Sequence, residues 1–102
     1  MQIRYSPNPN DCQKLGTNEL RATFLIESLF QPGKLELVYS DADRAIVGSA
    51  VPAHSPLMLT ADAELRAACF CERRELGVLN IGGSGAVEVD GRRFELAKLD
   101  CL

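Results

Sequence analysis

Four groups of side chains in this 102-residue sequence are of types that do chemistry. The first is Cys69-Phe70-Cys71. Thiolates suit zinc, but a closed site needs four ligands in a tetrahedron, and its usual Cys-x-x-Cys spacing commonly comes twice. That spacing is absent here, so the pair reads as two small hydrophobes on one face of a strand. The second is His54, the only histidine, set between Pro52 and Pro56. An imidazole titrates near neutrality and serves well as a general base, yet no nucleophile motif stands near it; it reads as a surface-loop residue. The third is Gly82-Gly83-Ser84-Gly85. A phosphate cradle needs a helix N-terminus behind it and a Lys-Ser or Lys-Thr pair, and neither follows. The run reads as a bulged or flexible strand connection. The fourth is Glu72-Arg73-Arg74-Glu75. A guanidinium matches a carboxylate through paired donors, which makes Arg73 and Arg74 candidates for binding an anionic substrate. The same run also fits a solvated turn or a structural ion-pair cluster.

These groups need a scaffold. A hydrophobic share of 46% and a charged share of 25% suit one soluble globular domain. A chain of this length buries roughly two-thirds of its unfolded surface, so a real core is expected. With no Trp and four Phe, that core must rest on Leu, Val, Ile, Ala and Phe. The net charge of -3 argues against nucleic-acid binding, which needs clustered cations to displace counterions. It gives no attraction to an anionic membrane either. Met1 to Cys12 is polar, with two prolines and no apolar h-region, and no apolar run is long enough to cross a bilayer. Four cysteines without an export signal predict reduced thiols and a cytoplasmic protein. A Cys12–Cys101 disulfide is the less expected alternative.

The elements follow from period and punctuation. Residues 1 to 16 read as irregular, because Ser6 to Asp11 is turn chemistry throughout. Thr17 or Asn18 caps a short helix with Glu19 in its first turn, and Leu20, Phe24 and Leu25 recur at helical spacing. Ile26 to Phe30 fits either a continued helix or a strand. Gln31-Pro32-Gly33-Lys34 is a turn. Beyond it the period becomes two: Leu35, Leu37 and Tyr39 share one face, and Lys34, Glu36 and Val38 the other. Ser40 to Asp43 is a loop, and Arg44 to Val51 reads as a buried strand closed by Pro52. Ala67 to Glu72 and Gly77 to Ile81 read as further strands. Asp90-Gly91 between alternating segments predicts a hairpin in which Val87 faces Phe94 and Glu88 faces Arg93, an apolar pair and an opposite-charge pair. The expected fold is mainly β, an antiparallel sandwich or barrel, closed or incomplete, with one short N-terminal helix.

The stretch Glu72-Arg73-Arg74-Glu75-Leu76-Gly77-Val78-Leu79-Asn80-Ile81-Gly82-Gly83-Ser84-Gly85, continuing through Val89-Asp90-Gly91, resembles a signature run of the 5-keto-4-deoxyuronate isomerase family. Tyr39-Ser40, Asp43-Arg44, Val47-Gly48 and Pro52 fit the same pattern, as do Thr17, Leu20-Arg21, Phe24-Leu25 and Phe30. Gly83 to Gly91, with Phe94, Leu96 and Asp100, is also similar to the central hairpin of cupins, with Leu99-Asp100 where cupins commonly have Gly-Asp.

The resemblance implies an enzyme that converts an open-chain keto-deoxy uronate, released from pectin, from aldose to ketose. It implies a zinc ion held by three histidines and a glutamate in a cupin barrel of the family's C-terminal half. None of those ligands maps onto a residue here, and His54 does not match one. Residues 1 to 102 are therefore expected to form one N-terminal cupin-like domain, with no catalytic residue and no zinc of its own; the C-terminal metal-binding domain is absent. Its partners would be the uronate and that C-terminal domain, within a cytoplasmic homo-oligomer. A free-standing, non-catalytic cupin-like binding or assembly module is the alternative. The apolar end, Leu96 to Leu102, favours the first reading, because a natural module would close its sheet or blunt the edge with charge or proline. An uncovered edge also predicts self-association of the isolated chain.

Overall fold

A computed structural model describes all 102 residues. Five strands dominate: β1 (Gln2–Arg4), β2 (Leu35–Ser40), β3 (Ala45–Ala50), β4 (Gly85–Val89) and β5 (Arg92–Leu96). Two short helices, α1 (Pro9–Cys12) and α2 (Thr17–Phe24), lie between β1 and β2, and a 3-10 turn covers Ala63–Leu65. Neither helix is long and apolar enough to cross a membrane.

The expected turn at Gln31–Lys34 launches the first sheet. Lys34 N–H donates to the Gln31 carbonyl at 3.1 Å, and Gly33 takes φ 75° behind Pro32. β2 then pairs antiparallel with β3, from Leu35↔Ala50 to Ser40↔Ala45. β1 lies on the other side of β2 and runs parallel to it, Gln2↔Val38 to Arg4↔Ser40, so the sheet order is β1-β2-β3. Two of the three pairings are antiparallel, as expected, but β1 is a parallel exception, and it and α1 correct the irregular reading of residues 1 to 16. The loop after β2 secures β1: the Asp41 carboxylate accepts from Ser6 N–H at 2.6 Å, and Asp41 N–H donates to Arg4 O at 3.2 Å. Pro9 at the first helical position and Asn8, whose side chain accepts from Asn10 and Asp11 N–H at 3.0 Å each, make α1 out of turn residues.

α2 starts at Thr17 with Gly16 as its cap, one residue before the expected Thr17 cap and two before Asn18. Glu19 still acts in the first turn, accepting from Gly16 N–H at 2.8 Å. Leu20 and Phe24 recur at helical spacing, yet no α2 residue is buried. Leu25 to Gln31 is neither helix nor strand; it lies over the sheet, where the buried Ser49 hydroxyl donates to Leu29 O at 2.5 Å. Ser49 opposes Glu36, so the covered face is the one shared by Glu36 and Val38, and Val38 is its buried residue. β3 is an edge strand with one buried residue rather than the buried strand expected.

The second sheet is the expected hairpin. Asp90 and Gly91 both hold positive φ, 50° and 73°, as a tight two-residue turn requires. Val87 opposes Phe94 and Glu88 opposes Arg93, the predicted register. The charge pairing differs, because Arg93 Nε donates to Glu95 at 2.6 Å along its own strand. Gly91→Val should cost about 1–2 kcal/mol, since a β-branched residue resists positive φ. A thermal melt lowered by several degrees is the expected reading; an unchanged midpoint would show that the turn tolerates a side chain.

Gly77 to Ile81 is extended and pairs with the last residues through one bridge, Leu79↔Cys101, rather than as a full strand. Just before it, Leu99 holds φ 71°, the conformation that a glycine takes freely.

A substantial core does not form. Only Val38, Ser49, Phe70 and Leu96 are buried. The accessible surface is 7967 Å², against about 5,700 Å² for a folded monomer of this mass. The radius of gyration is 15.9 Å, against about 13 Å for a compact chain of this length. The two sheets make no extended contact with each other, and neither closes. A sheet buries its apolar face only against a second layer, and here neither sheet supplies one for the other.

Candidate functional site

Ala67 to Glu72 is a chain of bends and a turn, not a strand. Side chains take the backbone partners that a ladder would need. The Glu72 carboxylate accepts from Ala68 N–H at 2.6 Å, and Glu72 N–H donates to Cys69 O at 3.3 Å. Cys69 and Cys71 therefore share no strand face; both are exposed, and all four cysteines are free thiols.

The two candidate arginines part company on this turn. Arg74 donates to Phe70 O at 2.5 Å, and its guanidinium stands 5.3 Å from the centre of the buried Phe70 ring. Arg74 thus closes the turn and covers an aromatic face. Arg73 touches only Glu72, at 3.2 Å, and its side chain is 68% exposed. Arg73 keeps most of its donors open to solvent, where they could meet a carboxylate; Arg74 could do so with its remaining donors from a fixed position.

His54 lies exposed in a bend, well apart from this turn in sequence. Gly82 to Ser84 forms a bend held by Asn80, a residue that motif reading passes over. The Asn80 side-chain NH2 is shared among the carbonyls of Gly83 (2.9 Å), Leu96 (3.0 Å) and Ala97 (3.1 Å), and its oxygen accepts from Gly82 N–H at 3.0 Å. Asn two residues before Gly82 is an Asx-turn signal, and it straps the glycine bend to the end of β5.

A cleft of about 650 Å³ opens between α2, Leu25 to Gln31 and the first sheet. Its charged lining, Arg4, Arg21, Glu27, Lys34 and Glu36, comes from separated segments, so no local motif announces it. Much of that charge is internally engaged. Arg21 pairs with Glu27, and Arg4 donates to the Leu25 carbonyl while its Nε is buried without a partner. Nearby, the Met1 ammonium pairs with Asp62 at 2.6 Å, and hydrogen bonding to that carboxylate raises the ammonium's pKa above its usual value. No three His, Cys, Asp or Glu residues stand together as metal ligands, so the residues present do not fit a zinc site.

No family model matches the chain. It is similar, over all 102 residues, to the 4-deoxy-L-threo-5-hexosulose-uronate ketol-isomerases of Halalkalibacterium halodurans (46% identical) and Shouchella clausii (49%). The protein of that name from Opitutus terrae is 45% identical over 103 aligned positions. The chain spans 37% of the length of the first two relatives and 38% of the third.

Proposed function

We propose that this chain, which aligns along its whole length with 4-deoxy-L-threo-5-hexosulose-uronate ketol-isomerases and spans a little over a third of theirs, is the N-terminal, cupin-like part of such an enzyme. The full protein would interconvert the aldose and ketose forms of 5-keto-4-deoxyuronate in pectin breakdown, as a cytoplasmic homo-oligomer. What supports this is identity of 44–49% along the entire chain, with no part of the sequence left outside the match to the best-covered relatives. The two unclosed sheets and the exposed apolar surface suit a barrel completed by further polypeptide.

The reaction moves a proton between adjacent carbons through an enediolate, whose growing oxyanion needs electrostatic stabilisation. In the family reading that stabilisation would come from zinc held by ligands outside these residues. The chain's own contribution is scaffolding, with Arg73 and Arg74 as candidate contacts to the substrate carboxylate.

The test is a chimera in which this chain replaces the matched third of the Halalkalibacterium halodurans protein. Isomerisation within about tenfold of the parent is expected if the chain is an equivalent part. Arg73→Ala in that chimera should raise KM with kcat nearly unchanged, since a carboxylate contact made equally in ground and transition states is uniform binding. A folded chimera without activity would overturn the isomerase reading.

A further inference from the structure

We propose that the face carrying Leu79 and Cys101 is the surface against which the rest of the ketol-isomerase polypeptide packs, an inference that rests on the reading of the chain as part of that enzyme. Val78 and Leu102 exchange both backbone hydrogen bonds, at 2.8 and 2.9 Å, and Asn80 N–H donates to Asp100 O at 2.9 Å. Leu79 and Cys101 therefore oppose each other as a non-hydrogen-bonded pair, with their side chains close together on one face. In such a pair the backbone N–H and C=O groups of Leu79 and Cys101 point outward from the ribbon, and none of them has a backbone partner. Leu79 is 57% exposed, and the flanking Ile81 and Leu99 are 51% and 68% exposed. Large aliphatic side chains exposed along one hydrogen-bonded ribbon mark an interaction surface.

Three observations identify the occupant. The matched relatives are more than twice as long as this chain, so each carries further polypeptide beyond the matched part. The chain exposes about 2,300 Å² more than a folded monomer of its mass should, and an obligate interface buries roughly 2,000–5,000 Å² counted over both partners. That surplus extends over two sheets that make no extended contact, along a molecule 48 Å long. A second copy would bring the same deficit on both of its sheets. A longer polypeptide continuous with this one can cover both.

Cys101 is a built-in reporter of this face, because a thiol is modified only while it is accessible. Maleimide labelling, mapped by mass spectrometry, should mark Cys101 readily in the dilute isolated chain. In the chimera its rate should fall about tenfold or more. Unchanged Cys101 labelling in an active chimera would overturn the surface assignment and leave the isomerase reading standing. Protected Cys101 in a folded but inactive chimera would do the reverse. Protection in the isolated chain that deepens with concentration, with Cys101 open in the chimera, would give the face to a second copy and overturn the proposal. If the chimera does not fold, hydrogen exchange is compared between the intact Halalkalibacterium halodurans protein and its excised matched segment. Added protection over the stretch aligned with residues 76 to 102 is expected, and its absence would equally overturn the assignment.

Discussion

Incubated with 5-keto-4-deoxyuronate and added zinc, the isolated 102-residue chain is expected to form no measurable ketose. A general base must reach the proton it takes within hydrogen-bond distance, directly or through one water, and must sit where substrate binds. The single histidine, His54, is exposed in a bend, and no cluster of ligating side chains stands ready to hold a metal. Loss of one oxyanion-stabilising donor alone typically lowers kcat by ~10²–10³. The assay follows ketose formation with protein from a host lacking its own isomerase. Turnover that survives this control and disappears in Arg73→Ala or Arg74→Ala would move the active site onto the charged turn. Silence from the chain, with activity in the chimera, fits a scaffold.

Gly48→Val should disrupt the first sheet. Gly48 opposes Leu37 on the central strand, and a Cβ there would lie 2.5 Å from Leu37 Cδ2 and 2.7 Å from Glu36 O. The leucine methyl can rotate away; the carbonyl cannot move without shifting β2. Overpacking of this kind costs about 1–3 kcal/mol, and each kcal/mol lowers the melting midpoint by roughly 4–8 °C in a domain this small. Hydrogen exchange should show the loss concentrated in β2 and β3, with the β4–β5 hairpin spared because the sheets barely touch. An unchanged melt, or equal loss in both sheets, would contradict this account.

The parts of this fold legible in the sequence are those set by neighbours. Asp90-Gly91 dictates a turn, the turn dictates a register, and Val87↔Phe94 follows. Pro32-Gly33 does the same for the start of β2. The parallel pairing of β1 was not legible, because the decisive contacts, Ser6 and Arg4 with Asp41, join residues that no local pattern links. The strand expected at Ala67 to Glu72 does not form for a different reason: the Glu72 and Arg74 side chains bond the backbone and bend it, which the residue types alone do not report. The core was overestimated because burial scales with compactness, and nothing in composition reports that two sheets stay apart. Of the candidate site, the charged run was legible, but not the division of labour that leaves Arg73 open and sets Arg74 on Phe70. At Leu99 the departure from the cupin pattern was legible, while its retention of a glycine-like backbone was not.

The pairing of β1 with β2 also bears on synthesis. Gln2 is made thirty-six residues before its partner, Val38. At ribosomal rates of ~5–20 residues per second, that interval lasts roughly 2–7 s. During it Ile3 and Tyr5 emerge on a segment with no strand to join, while each hairpin, β2–β3 and β4–β5, has its partner within a few residues and can register as it appears. Among these strands β1 is thus the one that waits longest for its partner, exposed as an unpaired edge while the rest of the sheet is made.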